Sequence, residues 1–394
     1  MRIALLADML EEQWPSMDLV AASLMRELRA QSDLAVQPML VRPRLVRLTG
    51  AWRRSGSAST PDRVLNRFWL YRRALPVRGE ADVFHVLDHS YGHLVRHLPE
   101  ERSVLTCHDV DAFAALAEPS GRGGLPAFLV RRLLEGLARA RLVVCPSRAT
   151  AGELIAGGFV RPDRVTVVHN GVDVEPMSCD RVAQLTGPLL GPAESHDDLL
   201  HVGSTIARKR IDLLLEIFAR VRRVNPRARL VRVGGRFTPA QERLADALGV
   251  RAHVLVLPPL DRATLSAVYQ RAAMLLATSE REGFGLPVAE ALVAGTIVLA
   301  TDLPVFHEVA AGAARYLPLG HVERWAECVI EGLAERRDRP DAWRQRQLIA
   351  RQRGGSFSWS QYARDMAVLY RRVLDDGGAG AAAVPPAADR VAQR

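Results

Sequence analysis

Lysine is nearly absent from this chain of 394 residues: 53 positions are basic, and Lys209 is the sole lysine among them. Arginine carries the rest of a net charge of +9. A compact ammonium and a planar guanidinium are not interchangeable, so a solitary lysine beside Arg208 draws notice, although chance would also leave one. Cysteine is scarce. The four present (Cys107, Cys145, Cys179, Cys328) form no C-x-x-C pair, which excludes a zinc ribbon or a disulfide framework and points to a reducing compartment. No run of about 18 uncharged apolar residues occurs, so no membrane-spanning helix is expected. The opening MRIALLADMLEE reads as a strand followed by acids and not as a secretory leader. The expectation is a cytoplasmic protein.

The length predicts two domains. In the first half, RIALLAD, LAVQPMLV, ADVFHVLD, SVLTCHD, RLVVCPS and RVTVVHN are strand candidates, separated by helical patterns such as Met17 to Ala30 and Leu125 to Ala140. In the second half, LLHVGS, LVRVGG, VLVLPPL, MLLATS and TIVLAT alternate with helical runs from Ile211, Pro239, Arg262 and Leu286. This is the pattern of doubly wound α/β domains with parallel sheets. Residues 177–198 are rich in Pro, Gly and Ser with little periodicity and read as a linker. The Gly-, Ala- and Pro-rich segment 376–394 reads as a disordered tail.

Residues 274–301, MLLATSEREGFGLPVAEALVAGTIVLAT, hold the densest chemistry. Strand, helix and strand in that span make a βαβ unit, and ligands bind beyond the carboxyl ends of such strands. That place is the loop from Glu280 to Gly285. Gly283 and Gly285 allow a sharp turn and close approach, and the amides opening the helix at Leu286 favour an anion. Glu282 in the loop and Glu290 on the helix would suit a ligand that also carries neutral hydroxyls, such as a phosphorylated sugar or nucleotide. A plainer reading stands beside it: Glu282 favours the helix dipole and Glu290 is solvated. Arg208 and Lys209, after Gly203, are likewise either a solvated loop or a pair placed to neutralise a diphosphate. His108 and Asp109 are expected to emerge from the end of a strand, facing the ligand crevice, and the plainer reading is a loop histidine bonded to backbone.

The motif E-G-F-G-L-P-x-x-E, from Glu282 to Glu290, with V-G-x-x-x-x-R-K from Val202 to Lys209, resembles the signature of the family-four retaining glycosyltransferases (glycosyl transferases group 1). The resemblance implies the GT-B architecture: two Rossmann-like domains facing across a cleft, with a C-terminal helix crossing back to the first. The domains would be 1–176, an acceptor domain joined by the helix 357–375, and 199–356, which would bind a nucleotide-diphosphate sugar. It implies that Arg208, Lys209, Gly203 and the backbone of Gly283, Phe284, Gly285 and Leu286 hold the diphosphate. Glu282 would bind the donor sugar, Glu290 the ribose, and His108 the sugar from the first domain. Neither a metal nor a cofactor beyond the sugar nucleotide is expected. A glycan, a lipid-linked glycan or a metabolite could supply the acceptor hydroxyl. One departure concerns the first loop: where many members carry paired glycines, this chain has Asp8-Met9-Leu10-Glu11-Glu12. A sugar phosphorylase would need a lysine for pyridoxal phosphate, and the one lysine lies in the diphosphate loop. An epimerase of related fold and a non-catalytic sugar-nucleotide-binding regulator remain as alternatives.

Two further patterns lie in the first half. Residues 42–78 carry ten arginines against the single acid Asp62, with Val64, Phe68, Tyr71 and Leu75 on one helical face. Such a segment can lie on the anionic inner face of a membrane or pack on its own core; nucleic acid is not expected, since no binding motif accompanies the charge. His85, His89, His93 and His97 recur every four residues. FHVLD is a strand, however, so the set is read as structural and not as a metal site.

Overall fold

The computed structural model describes residues 1–47, 60–76, 79–114 and 127–376. It divides into two compact units, one formed by Met1–Asn170 with the segment that begins at Trp359, the other by Gly171–Ser358.

The first unit is built on six strands: β1 (Arg2–Leu6), β2 (Gln37–Val41), β3 (Val83–Val86), β4 (Ser103–Thr106), β5 (Leu142–Cys145) and β6 (Val165–Val167). All pair in parallel, in the order β2-β1-β3-β4-β5-β6. Successive side chains go to opposite faces. Ile3 and Leu5 therefore join one core while Ala4 and Leu6 join the other. Helices cover both faces, as an all-parallel sheet requires. The Pro15–Ala30 helix lies with Trp359–Asp376 on one side, where Leu24 and Leu28 meet Tyr362, Met366 and Tyr370. The helix expected over 357–375 thus begins at Trp359 and belongs to the first unit.

The second unit has β7 (Asp197–Val202), β8 (Ala228–Val233), β9 (Val254–Leu257), β10 (Met274–Ala277), β11 (Ile297–Thr301) and β12 (Ala314–Leu317). Its parallel order is β12-β11-β10-β7-β8-β9. The chain runs outward from β7 to β9, then returns to place β10 on the other side of β7. Strand order reverses there, at the carboxyl ends of β7 and β10, where Rossmann sheets bind ligands.

Two expectations need correction. Residues 177–198 are not an irregular linker. Ser178 caps a helix, Cys179–Leu190, through its hydroxyl to the Arg181 N–H. The carbonyls that end this helix are gripped by Arg271, itself paired with buried Asp198 at 3.2 Å. The boundary falls at Gly171, and β7 begins at Asp197 instead of Leu199. The expected tail beyond Asp376 lies outside the described residues.

In the arginine-rich stretch, a helix at Thr60–Leu65 continues through a wider turn at Asn66–Leu70. Its apolar face packs inward: Phe68 and Leu75 lie on the core, and the Tyr71 hydroxyl donates to the carbonyls of Ala7 and Val41, each at 2.8 Å. Arg67 pairs with buried Glu12. Arg53, Arg54 and Arg78 lie outside the described residues. The histidine repeat is not one array. His85 sits on β3 between Tyr370 and Thr106, at 2.8 and 2.7 Å, and burial holds its pKa down to about 3. His93 donates to the Arg67 carbonyl at 2.7 Å. No helix among the described residues is long and apolar enough to cross a membrane.

Candidate active site

Two loops meet at the strand-order reversal of the second unit. The first leaves β7 at Gly203 and closes in a single turn, Ala207–Lys209, before the Ile211–Val224 helix. The second leaves β10 and runs to the Leu286–Ala294 helix. Backbone and hydroxyl bonds stitch them together: the Glu280 N–H donates to the Arg208 carbonyl and the Thr278 hydroxyl to that of Lys209, both at 2.9 Å.

Glu282 is the focus of this junction. The Lys209 ammonium donates to its Oε1, the Ser279 hydroxyl reaches the same oxygen at 2.8 Å, and Arg208 Nη1 reaches Oε2 at 3.2 Å. Lys209 and Glu282 are both almost enclosed, with side chains 11% and 9% exposed. Burial alone would raise the Glu282 pKa, but Lys209 and then Arg208 outweigh it and hold the carboxyl below its ordinary value. Neither plain reading survives here, since the basic pair is not a solvated loop and Glu282 is not simply a helix-start acid.

The loop continues into the helix through Gly285, whose φ is +87°. A Cβ there would lie 2.7 Å from the Phe306 ring, so both backbone and packing call for glycine. The first intrahelical donors are Val288 and Ala289, both to the Gly285 carbonyl. The Leu286 N–H precedes them at the helix mouth, and Pro287 has none. The Phe284 ring is buried against Phe357, centroids 5.6 Å apart.

Glu290 is also buried and not solvated. Its Oε2 accepts from the Tyr269 hydroxyl at 2.7 Å. Burial raises its pKa to about 7, against the opposing pull of Tyr269 and Arg262. Arg262 in turn pairs with Asp173 at 3.1 Å. Gly203 backs onto the aliphatic part of Lys209, with 3.5 Å between its would-be Cβ and Lys209 Cε.

His108 belongs to the first unit, just past β4. It is buried, and burial lowers its pKa. Its Nε2 lies 2.8 Å from the Leu87 carbonyl. A carbonyl only accepts, so Nε2 carries the proton and Nδ1 of the neutral ring is the acceptor. The glycine-free first loop is held by the Met9 N–H on the Tyr91 hydroxyl at 3.3 Å and by the Glu12–Arg67 pair. Asp8 lies there beside Asp88. Burial and that neighbour raise the Asp8 pKa; for Asp88, His89 and His108 outweigh burial and lower it.

The structure therefore joins Arg208, Lys209 and Glu282 directly, carries Gly283–Leu286 on from them in one loop, and sets Glu290 with Tyr269. Ser279, Thr278 and Tyr269 escaped the reading of the sequence. Thr278 and Tyr269 have partners remote in the chain, and Ser279, three residues before Glu282, is a neutral residue that no local pattern marks.

Residues 10–176 match the profile of Glycosyltransferase Family 4, and residues 190–346 that of Glycosyl transferases group 1. Between them the two profiles span most of the chain, which belongs to the family they describe, the family-four (group 1) glycosyltransferases. A D-inositol 3-phosphate glycosyltransferase of Mycobacterium ulcerans (strain Agy99) is 32% identical over 244 residues, covering 58% of this chain and 50% of that protein. D-inositol 3-phosphate glycosyltransferase 1 of Catenulispora acidiphila is 28% identical over 330 residues, covering 80% and 77%. The chain spans about half the length of the mycobacterial relatives it matches. Among solved structures, the sucrose-phosphate synthase of Thermosynechococcus elongatus superposes with a TM-score of 0.75 at 18% identity, covering 95% of this chain and 99% of that one. Anabaena HepE in complex with UDP and glucose gives 0.70 at 16% identity, covering 94% and 100%. The fold is of the GT-B type.

Proposed function

We propose that the chain is a retaining glycosyltransferase that moves a hexose-type sugar from a nucleotide-diphosphate sugar to a hydroxyl acceptor. The observation that carries this is the Lys209–Glu282–Arg208 network at the reversal of strand order, beside a helix mouth. Two cations and a set of amides converge where charge would grow on a departing diphosphate. Preorganised donors of this kind stabilise such charge without reorganisation. Donor binding would draw the cations toward the phosphates and leave the Glu282 oxygens to accept from sugar hydroxyls. Glu290 would accept from the ribose, and His108 Nδ1 from the sugar. The cations take the place a metal would otherwise fill. That HepE was solved with UDP and with UDP-glucose supports a nucleotide-sugar donor. We further infer peripheral contact of residues 42–78 with an anionic membrane, as in enzymes that build polysaccharides on lipid carriers.

The test is a panel of UDP- and GDP-sugars, read by thermal shift and by slow donor hydrolysis, which a regulator that only binds would not perform. A ligand at 100 times its dissociation constant adds about 2.7 kcal/mol. Hydrolysis should persist in EDTA. Lys209→Met should lower it by about 10²–10³-fold, the usual effect of removing one charge-stabilising donor. It should also destabilise the fold, because Glu282 stays buried with Arg208 alone. Adding Glu282→Gln should restore the stability and not the rate. Undiminished hydrolysis in Lys209→Met would overturn the assignment.

A further inference from the structure

Arg232 stands within β8 and is 0% exposed. Its Nη2 donates to the Gly203 carbonyl at 2.8 Å, and its Nη1 to the Gly235 carbonyl. Its Nε has no partner, and the guanidinium lies over the Phe237 ring at 5.2 Å. Among the described residues no carboxylate pairs with it. Other enclosed arginines in this protein are matched: Arg67 with Glu12, Arg271 with Asp198. A buried cation without a counter-charge is costly. Burial, unopposed, pushes this guanidinium down to about 10, still charged at neutral pH. Its partner across the sheet, His201, does not balance it. That ring is 2% exposed and held neutral by burial and by the charges of Arg232 and Lys209, and its Nδ1 also lacks a partner.

The geometry of the two accepting carbonyls gives this charge a direction. In a trans peptide the C=O and the following N–H point opposite ways. With the Gly203 and Gly235 carbonyls turned down onto Arg232, the N–H groups of Ser204 and Arg236 turn away from it, toward the exposed side of both loops. The loops can approach this closely because position 234 is glycine; a Cβ there would sit 2.3 Å from the Gly203 oxygen.

We propose that Arg232 is a positioning residue for the donor diphosphate, aiming the Ser204 and Arg236 amides at it and adding a third cation beneath Gly203. This rests on the second unit's site being a sugar-nucleotide site. Around Gly203, three cations (Arg208, Lys209, Arg232) face one carboxylate, Glu282. A diphosphate esterified at both ends carries the two negative charges that would balance them.

The test compares the affinities of UDP and uridine, and of GDP and guanosine, for the full-length wild type, Arg232→Gln and Arg232→Lys, by calorimetry. Glutamine keeps a donor for a carbonyl and loses the charge; lysine keeps the charge. The diphosphate-to-nucleoside affinity ratio should fall about tenfold in Arg232→Gln, the scale of one partly shielded charge. It should be mostly retained in Arg232→Lys, with nucleoside affinity unchanged in both. An unchanged ratio in Arg232→Gln overturns the proposal, and an equal fall in both variants reduces Arg232 to packing. If neither diphosphate binds the wild type, the reading of the site itself fails. Should Arg232→Gln not fold, hydrogen exchange of the Arg232 guanidinium in the wild type, followed by NMR, decides. Slowing by the diphosphate and not by the nucleoside supports the proposal, and no slowing overturns it.

Discussion

Glu290 shows how far a single carboxyl is governed by what surrounds it. Enclosed and tied to Tyr269, it titrates near 7 in the fold, against 4.5 for an ordinary glutamate. The folded state therefore prefers it protonated. Its contribution to stability is whole below the ordinary value and is lost as pH rises through about 7. Thermal unfolding of the wild type should then lose part of its stability between pH 5 and 7, and Glu290→Gln should remove that portion of the slope. Above pH 7, where Glu290 is ionised, the same substitution should weaken nucleotide binding, since a neutral amide accepts less strongly from ribose hydroxyls. Identical pH profiles for the two proteins would mean that Glu290 is charged in the fold throughout.

At the scale of elements, the site depends on a helix of nine residues, Leu286–Ala294, started by one left-handed glycine. Gly285→Ala would force an alanine to φ near +87° and press its methyl on Phe306. The backbone term alone is about 1–2 kcal/mol, and the clash adds to it, so the melting temperature should fall. Catalysis should fall further than stability, because the helix mouth would be displaced. A variant with wild-type melting and turnover would show that the loop tolerates another conformation. This helix was legible in the sequence, with its Pro near the start and glycine past the end, as were the buried parallel strands on either side. The pairing of Arg208 and Lys209 with Glu282 was not, because ion pairs across 74 and 73 residues leave no local periodicity. The helix at Cys179–Leu190 was hidden by its own composition: Gly187 and Pro188 read as breakers, while Arg271, about eighty residues later, satisfies the carbonyls at the helix end. Arg232 left a trace that could have been followed, a charge inside the apolar run LVRVGG, where a doubly covered parallel strand has no water to offer it.

Across the whole molecule, charge is unevenly spread: residues 42–78, with ten arginines and one acid, carry a net charge equal to the whole +9 excess. Phe68, Tyr71 and Leu75 are taken up by the first unit's own core, so membrane contact would be chiefly electrostatic. Flotation with anionic vesicles should succeed at low salt and fail near 0.5 M, where the screening length is only a few ångströms, about 3–5 Å. Flotation with neutral vesicles, or at high salt, would contradict an electrostatic attachment. The near-absence of lysine has an experimental consequence of its own. Lys209 carries the chain's sole ε-amine and is largely enclosed against Glu282. An acylating reagent aimed at amines therefore has one side chain to find in the entire protein. Once the label on the Met1 α-amine is set apart, the rate at which a second label is gained reports how often that one enclosed position opens to solvent.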